Sequence, residues 1–457
     1  MSENPWKPCD IRGVFPFAIS EDLFRSVGAA IGSEIPEAAS VVVGGDFRVS
    51  TPALKEALTC GLVSTGLHVI DVGLVPTPVV YFHAGRLGAS AVFIVTASHN
   101  PPAYNGLKWM AGGMPPAPAD VERVRAAVAS GSFRQGRGTV EVCSPVPAYR
   151  EWIVSRWLAE RPARLGPVVL DAGNGAWSLL APAIFRELGF DVHCMHCTPD
   201  GSFPNRQPDC ARTGNLTALR AAVADRRAAL GIAWDGDGDR VAFVDEEGSH
   251  VTTDEISILL ARRILTGTPE NVVCDIKLSD RVRREVAHCG GTPLLERSGH
   301  SFMRSRLLSK DAILGLDACG HYFFREAGSR DDGMYSALFM AAMVADQGPL
   351  SDLRRAIDPI YSTPELRLPA SVLGFGIVRE RLLAAFPGAD ESVLDGSRLM
   401  MEEGVVLARE SSTEPVISLR VEGFSEAGFA KLADVVLRSL PEAGVVLRHQ
   451  VEHRGRW

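Results

Sequence analysis

The sequence predicts an α/β fold: three similar α/β domains with mixed sheets, then a smaller C-terminal α+β domain, arranged around a central cleft. Three observations predict this class. The 457 residues are too many for a single hydrophobic core, so several domains are expected. Strand-like and helix-like segments alternate in three rounds, which is typical of parallel sheets with crossover helices. The residues after 361 follow a different pattern.

Short apolar runs bounded by glycine predict buried strands, and longer runs with spaced apolar residues predict the helices between them. In the first round these segments are "SVVVGGD", "PALKEALTCGLVSTG", "LHVIDVG", "TPVVYFHAGRLG" and "ASAVFIVTA". The second comprises "PVVLDAGNG", "LLAPAIFRELG", "FDVHCMH", "LTALRAAVADRRA" and "ALGIAWDGD". The third comprises "ENVVCDIK", "SDRVRREVAHCG", "TPLLERSG" and "DAILGLDAC".

The C-terminal part combines two helical segments, "FGIVRERLLAAF" and "EAGFAKLADVVLRSL", with two segments typical of antiparallel strands, "GVVLARES" and "VISLRVEG". With seams placed near Val146 and Glu247, the predicted domains are residues 1–145, 146–246, 247–360 and 361–457. Chemistry is expected in a cleft between them, at the C-terminal ends of parallel strands.

Composition and charge argue against nucleic acid and membranes as binding partners. The formal net charge is -8, from 55 acidic and 47 basic residues, and no run of like charges is suited to nucleic acid or anionic lipid. No secretory signal and no run of about 18 apolar residues is found, so we expect no membrane association and a cytoplasmic location. The nine scattered cysteines fit a reducing compartment. We expect a monomer or a homodimer.

One cysteine pattern invites a metal interpretation. "HCMHC" (residues 193–197) has Cys-x-x-Cys spacing, and Cys210 follows. However, Cys194 and Cys197 end a predicted strand, and no second ligand pair lies at the spacing of a zinc finger. We therefore expect no metal there.

The strand "AVFIV" ends in "TASHNPPAYNGLK", which places Ser98, His99 and Asn100 at a sheet edge where a cleft is expected. A turn in which Ser98 and Asn100 only satisfy backbone groups would explain the composition equally well. Lys108 adds a positive charge suited to a phosphate.

A second strand ends in "DGDGDR", where Asp235, Asp237 and Asp239 alternate with glycine, so that three carboxylates can converge on one hard cation. An EF-hand loop would also place Glu246 at its twelfth position. However, Arg240 occupies the position that needs glycine, and the flanking segments are strands. Carboxylates beside a phosphorylated Ser98 would suit Mg²⁺, and a phosphoserine neutralised in this way could donate its phosphoryl group.

Longer motifs identify a relationship. "TASHNPPAYNGLK", "DGDGDR", "DIRG" at residues 10–13 and "GGDFRVSTP" at residues 44–52 resemble those of the α-D-phosphohexomutase superfamily. "DIRG" is most similar to the bacterial phosphomannomutase/phosphoglucomutase branch. The segments "DVGLVPTP", "PDGSFPN", "SGHSFMR" and "RESSTEP" fit the same pattern, so the resemblance covers almost the whole chain.

The resemblance implies transfer of a phosphate between O1 and O6 of a hexose, through a phosphoserine and a hexose 1,6-bisphosphate. It implies that Ser98 is phosphorylated and that Asp235, Asp237 and Asp239 hold Mg²⁺ with that phosphate. His99, Asn100, Arg240, Lys277 and His300 would face the substrate, while Arg12 and Lys108 would manage protons and charge. The non-reacting phosphate would be held by Arg409, Ser411, Ser412 and Thr413. His321 is a candidate general acid or base because histidine titrates near neutral pH; a structural role is the alternative.

One segment departs from the family. The usual sugar-binding loop is Gly-Glu-x-Ser-Gly-His, but Leu316-Asp317-Ala318-Cys319-Gly320-His321 stands here. Asp317 is one methylene shorter than glutamate, and the Cys319 thiol is a weaker donor than serine. The preferred sugar, mannose or glucose, is therefore open.

The alternative functions are a phosphoglucosamine mutase, a sugar-phosphate-binding protein without mutase activity and a metal-dependent phosphatase.

Overall fold

The structure, a computed structural model, describes residues 4–158, 165–267, 269–411 and 415–445. Its first unit contains a six-stranded sheet and four helices: β1 (Ile11–Val14), α1 (Glu21–Glu34), β2 (Ser40–Gly45), α2 (Thr51–Val63), β3 (His68–Leu74), α3 (Thr77–Leu87), β4 (Ala91–Val95), β5 (Tyr104–Ala111), α4 (Pro118–Ser130) and β6 (Thr139–Val142). The strand order is β1-β5-β4-β2-β3-β6, with β2, β3, β4 and β6 parallel and the β5 and β1 pairings antiparallel. Because helices cover both faces, the central strands are runs of buried Val, Ile and Phe.

The second unit follows the same plan on a five-stranded sheet. Its elements are α5 (Val146–Leu158), β7 (Val168–Asp171), α6 (Leu180–Glu187), β8 (Val192–Met195), a short 3₁₀ turn (Thr213–Leu216), α7 (Thr217–Arg226), β9 (Leu230–Trp234), β10 (Val241–Asp245) and β11 (His250–Val251). In the order β11-β10-β9-β7-β8, the strands β8, β7 and β9 are parallel, and the β9–β10 and β10–β11 pairs are antiparallel.

The third unit repeats the plan again. Its elements are α8 (Thr253–Ile264), β12 (Asn271–Asp275), α9 (Asp280–His288), β13 (Thr292–Glu296), α10 (His300–Ser309), β14 (Leu314–Leu316), β15 (Tyr322–Phe324), β16 (Arg330–Asp331), α11 (Gly333–Gln347) and α12 (Leu350–Arg355). In the order β13-β12-β14-β15-β16, the first three strands are parallel and the last two pairings are antiparallel.

The C-terminal unit has an antiparallel sheet, as predicted. It contains β17 (Tyr361–Ser362), β18 (Leu366–Pro369), α13 (Phe375–Ala385), β19 (Asp390–Ser392), β20 (Ser397–Met400), β21 (Gly404–Glu410), β22 (Val416–Gly423) and α14 (Glu426–Ser439). The order is β17-β22-β21-β20-β19, with β18 also paired to β22. The predicted fold class is confirmed. The predicted domain limits stay predictions; residues 246 and 247 fall in the β10–β11 turn of the second sheet.

One continuous apolar core joins a face of the first sheet with the second and third units, whereas the C-terminal unit has a core of its own. Within the described ranges, no helix has both the length and the apolar character needed to cross a membrane.

The plan shared by the first three units fixes where the site loops lie. In each sheet one of the parallel strands (β4, β9 or β14) is followed by a loop and an antiparallel strand. These connections are the serine loop (residues 96–103), the aspartate loop (residues 235–240) and the histidine loop (residues 317–321). The three loops therefore occupy equivalent positions in the three sheets.

Candidate active site

Ser98 lies at the contact between the serine loop and the aspartate loop. Its backbone is left-handed, with a φ of 52°, an uncommon conformation for a residue with a side chain. Its Oγ donates a hydrogen bond to Asp235 Oδ2 at 2.9 Å, and its backbone N donates to Thr96 Oγ1 at 2.8 Å. His99 Nδ1 lies 3.3 Å from the same Oγ. The structure thus directs the serine hydroxyl at a carboxylate that is 137 residues away in the chain.

The three aspartates of the aspartate loop are buried together. Ligand oxygens of Asp235, Asp237 and Asp239 lie within 4.8 Å of one another. Lys108 Nζ contacts Asp237 Oδ2 at 2.8 Å and also Asp239 Oδ2. Asp237 Oδ1 is buried without a hydrogen-bond partner. The three residues offer carboxylate oxygens, and at least one of these has no hydrogen-bond partner, so the donor set fits a hard cation.

The charges of this cluster support that interpretation. Burial and the neighbouring Asp237 and Asp239 carboxylates hold the pKa of Asp235 well above its ordinary value. Burial alone would lower the pKa of Lys108, but Asp237 and Asp239 raise it, so the ammonium stays charged. A cation among the three carboxylates would remove the mutual repulsion that acts on Asp235.

Arg12 and Asn100 form the neighbouring wall. Arg12 on β1 donates to Asn100 Oδ1 at 2.8 Å and to Asp10 Oδ2 at 2.6 Å. His99, between Ser98 and Asn100 in the chain, is uncharged. Its burial and the nearby Arg240 and Arg12 hold its pKa well below the ordinary value, so the imidazole beside Ser98 is neutral.

The histidine loop places His321 against the aspartate loop. His321 Nδ1 lies 2.9 Å from Asp317 Oδ2, and its Nε2 lies 3.3 Å from Asp239 Oδ1. Arg240 Nε is 3.2 Å from the same Nε2. Burial works against the imidazolium, yet the Asp317 carboxylate holds the pKa of His321 well above its ordinary value. His321 therefore bridges the Asp317 carboxylate of its own loop and Asp239 of the aspartate loop.

The Asp317 carboxylate makes its hydrogen bonds within its own loop, because besides His321 it also accepts the backbone N–H of Cys319. Cys319 Sγ lies 3.7 Å from Lys277 Nζ. Burial raises the pKa of the Cys319 thiol, so the sulfur is protonated beside the lysine. Of these groups, Lys277 and Cys319 are the more accessible from the cleft, since Asp317 is only 2% exposed.

Two further basic residues lie on other walls. His300, at the start of α10, pairs with Asp331 at 2.9 Å and stacks on Tyr81 with ring centroids 6.3 Å apart. Arg409, at the end of β21, donates from Nε to Asp395 Oδ2 at 2.9 Å. The bond from Nε to Asp395 orients the planar guanidinium of Arg409, which lines the cleft.

A single cleft of about 670 Å³ brings most of the predicted site residues together. Its lining includes Arg12, Ser98, His99, Lys108, Arg240, Lys277, His300, Asp317, Cys319, His321, Arg409 and Ser411. The three aspartates are buried behind Ser98, and Asn100 is linked through Arg12. Ser412 and Thr413 lie outside the described residues.

Several contributors were missed by sequence reasoning. Thr77 at the start of α3 donates to Asp237 Oδ2 at 2.7 Å, and Asp331 and Asp395 orient His300 and Arg409. The segment "VPTP", whose last two residues begin α3, is the sequence signal for Thr77, and it does not indicate that Asp237 is its partner. The "HCMHC" segment contributes no residue to the candidate metal clusters found among the described residues, which are the aspartate triad and Asp239 with His321 and Asp331.

Comparison with models of known protein families shows the family of this chain. Four family models match in succession: phosphoglucomutase/phosphomannomutase α/β/α domain I at residues 7–135, domain II at 148–248, domain III at 252–360, and the C-terminal domain at 377–439. The chain belongs to the phosphoglucomutase/phosphomannomutase family.

Particular relatives share nearly the full length. A phosphomannomutase/phosphoglucomutase of Pseudomonas aeruginosa is 34% identical over 438 residues, 94% of each chain. A phosphoglucomutase of Neisseria gonorrhoeae is 33% identical over 445 residues, covering 94% of this chain and 95% of its own. A crystal structure of a family member from Burkholderia thailandensis superposes with a TM-score of 0.88 at 34% identity, covering 97% and 98% of the two chains. The Paramecium phosphoglucomutase parafusin, at 16% identity and a TM-score of 0.74, covers 97% and 96% and shares the fold.

Proposed function

We propose that this protein is a phosphohexomutase that interconverts hexose 1-phosphates and hexose 6-phosphates of glucose, mannose or both. The observation that carries the proposal is Ser98, whose Oγ lies 2.9 Å from an aspartate of a buried carboxylate triad and in the wall of a cleft lined by cationic groups. A phosphorylated Ser98 would pass its phosphoryl group to the sugar, and a hexose 1,6-bisphosphate would form. The names of the relatives favour glucose and mannose phosphates over glucosamine phosphate.

Mg²⁺ is the cation we propose for the triad. Asp235, Asp237 and Asp239, with the phosphate on Ser98, would hold it through oxygen ligands only, which Mg²⁺ prefers. Asp237 Oδ1 has no hydrogen-bond partner and is therefore available to the cation. When bound, the ion would supply positive charge against the transferring phosphoryl group.

The remaining steps belong to the chain's own side chains. Attack by a sugar hydroxyl on phosphorus breaks the bond to Ser98 Oγ. The hydroxyl proton would pass to a base on the sugar side, and the charged Lys108 ammonium would supply a proton to the serine oxygen. Lys108 stabilises charge beside the transferring group, and Arg12 orients Asn100 and the serine loop's outer face. His321, oriented by Asp317, is the proposed acid and base on the sugar side.

The other phosphate of the bisphosphate would be held across the cleft. Arg409, oriented by Asp395, offers a planar fork for that phosphate, and Ser411 lies beside it; we propose Ser412 and Thr413 for the same role. Lys277, Arg240 and His300 would contact the sugar and its phosphates from the third wall. Reorientation of the bisphosphate within the cleft then presents its second phosphate to Ser98.

Hexose phosphates and hexose 1,6-bisphosphate are therefore the proposed partners. We propose a cytoplasmic enzyme, in keeping with the nine free cysteines.

Isomerisation assays on glucose, mannose, glucosamine and N-acetylglucosamine 1-phosphates, with a bisphosphate activator and Mg²⁺, test the proposal. Release of inorganic phosphate is measured in the same samples. Isomerisation of the glucose or mannose compound with little phosphate release is expected. Stoichiometric phosphate release would indicate a phosphatase, and inactivity on all four sugars would overturn the proposal.

A further inference from the structure

Two motifs are not used by the proposed function, although they lie beside the site. They are "GGDFRVSTP" at residues 44–52, between β2 and α2, and "PDGSFPN" at residues 199–205, after β8. Each belongs to a different unit. Both meet directly behind the serine loop, on the side away from the cleft.

Arg48 of the first motif is only 1% exposed, and its two terminal guanidinium nitrogens donate to the serine loop and to the first residue of β5. Its terminal nitrogens donate to the backbone oxygens of Ser98 at 2.7 Å, Asn100 at 2.6 Å, Pro101 at 2.7 Å and Tyr104 at 3.0 Å. A planar fork of donors can satisfy four carbonyls that converge on one side, which a lysine cannot. Arg48 therefore holds the backbone of the whole loop around Ser98.

Asp46 completes this support from the same motif. It is fully buried and accepts from Arg48 Nε at 3.1 Å and from Thr96 Oγ1 at 2.6 Å. Thr96 Oγ1 in turn accepts the backbone N–H of Ser98. Both the N–H and the C=O of Ser98 are thus fixed by the Asp46–Arg48 pair, which stabilises its left-handed backbone.

Phe203 of the second motif extends this support to the aspartate loop. It is 4% exposed and itself has a left-handed backbone, with a φ of 50°. The Arg48 guanidinium carbon lies 5.2 Å from the centre of its ring, a favourable cation–π arrangement. A methyl group added to Gly236 would lie 3.3 Å from Phe203 Cζ and 2.6 Å from the Ser98 carbonyl oxygen. The aspartate loop therefore packs directly against both Phe203 and Ser98.

The turn before Phe203 is equally close to the first motif, since a methyl group added to Gly201 would lie 2.6 Å from the backbone N of Val49. We infer that Arg48 and Phe203 are positioning residues, which together set the separation between Ser98 and the aspartate loop across the boundary of two units. The inference rests on the proposed function for the role of Ser98. Neither side chain touches the reacting atoms.

The test uses the full-length protein with the substitutions Phe203→Leu, Arg48→Lys and both together. Leucine keeps an apolar side chain but removes the ring face, and lysine keeps the charge but removes the fork. Phe190→Leu is the matched control, because Phe190 is also buried in the second unit but packs on Phe185 at 5.1 Å. Thermal unfolding first establishes that each variant is folded.

Three measurements follow: Mg²⁺ affinity by calorimetry, the extent of Ser98 phosphorylation after incubation with glucose 1,6-bisphosphate, and kcat and KM with glucose 1-phosphate. Each single variant should lower kcat by about tenfold to a hundredfold, as expected for a misplacement of about 1 Å. KM should stay within about twofold, because the cleft's cationic groups are untouched, and Mg²⁺ affinity should fall. The double variant should lose less than the product of the single losses, since both residues act through one contact.

The inference is overturned if Phe203→Leu lowers kcat and Mg²⁺ affinity no more than Phe190→Leu, or if the two losses multiply. If Arg48→Lys fails to fold, the comparison of Phe203→Leu with its control decides. If the unsubstituted protein isomerises no hexose phosphate, the proposed function fails, whereas the Mg²⁺ affinities of the variants still decide the positioning role.

Discussion

Ser98 combines two properties that a purely structural serine does not need. Its backbone is held in a strained, left-handed conformation, and its hydroxyl is directed at a carboxylate in another unit. Strain of this kind costs about 1–3 kcal/mol and persists only where the surroundings impose it. Here the surroundings are the bonds of Thr96 to its N–H and of Arg48 to its carbonyl oxygen.

We expect phosphate on Ser98 in the purified protein, and Ser98→Ala should lose nearly all mutase activity. The fold should survive because the hydroxyl makes loop contacts and is not part of the apolar core. Mass spectrometry of the Ser98 peptide, before and after incubation with a sugar bisphosphate, checks the modification. Ser155→Ala, at an exposed serine of α5, is the control. An active Ser98→Ala variant, or a peptide that never carries phosphate, would contradict the assignment.

Asp237→Asn should weaken Mg²⁺ dependence and activity together. The substitution keeps the size of the side chain but removes one of three converging charges, that of the carboxylate whose Oδ1 has no hydrogen-bond partner. A magnesium titration of activity, compared with that of the exposed Asp225→Asn variant, measures the effect. Identical titrations for both variants would show that the aspartate loop does not hold the metal.

The double variant Asp317→Glu with Cys319→Ser should shift the ratio of kcat/KM between glucose and mannose phosphates. The Asp317 carboxylate is bound to His321 and to its own loop, so the longer glutamate is expected to reach a sugar hydroxyl that aspartate does not. Unpaired groups against a substrate hydroxyl discriminate strongly. Ser98 phosphorylation should stay nearly unchanged. An unchanged ratio across the sugar panel would mean that these two positions do not determine the sugar.

At the scale of elements, the strands that the sequence predicts best are the parallel ones. β2 and β4 are runs of Val, Ile and Phe buried on both faces, and such runs are visible in one dimension. β5 was not predicted, because "YNGLKWMA" begins with turn formers and contains the polar Asn105 and Lys108, which are buried by contacts from other segments.

The same difference between local patterns and long-range contacts explains which residues of the site the sequence could predict. Ser98 and the three aspartates belong to local motifs, so their chemical role can be predicted from the residues next to them in the sequence. The bond of Thr77 to Asp237 joins residues 160 positions apart, and the bond of Arg48 to the Ser98 carbonyl spans 50. Partners of this kind are set by the packing of whole units, which no local pattern records.

Gly236→Ala tests the close approach of two loops. The added methyl group would lie 2.6 Å from the Ser98 carbonyl oxygen, so the aspartate loop must move away from the serine loop. Activity should fall by at least about tenfold and Mg²⁺ affinity should weaken, with the protein still folded. The control is Gly376→Ala in α13, where no atom lies within 4 Å and a gain of up to about 1 kcal/mol in helix stability is expected. Activity equal to that of the control would show that the serine loop and the aspartate loop can accommodate the added methyl group.

At the scale of the whole molecule, the C-terminal unit is attached differently from the others. The first three units share one continuous apolar core, but the fourth meets the third through polar contacts. Arg398 donates to Asp280 at 2.9 Å, and Glu422 accepts from Ser279 Oγ at 2.7 Å. An interface of this kind is weaker than a shared core and favours relative movement. The unit that carries Arg409 is thus the one best able to move against Ser98.

Arg420→Met should loosen that attachment. Arg420 on β22 donates to the Lys277 carbonyl oxygen at 2.6 Å and pairs with Asp254 at the start of α8, both in the third unit. Loss of these charge-assisted bonds should cost about 2 kcal/mol. The C-terminal unit should then sample more open positions, which carry Arg409 away from the cleft. We expect a larger radius of gyration by small-angle scattering without substrate and a raised KM for hexose phosphates, while Ser98 phosphorylation persists. Arg438→Met, on the exposed face of α14 in the same unit, controls for the lost charge. Scattering and KM indistinguishable from that control would show that Arg420 does not hold the two units together.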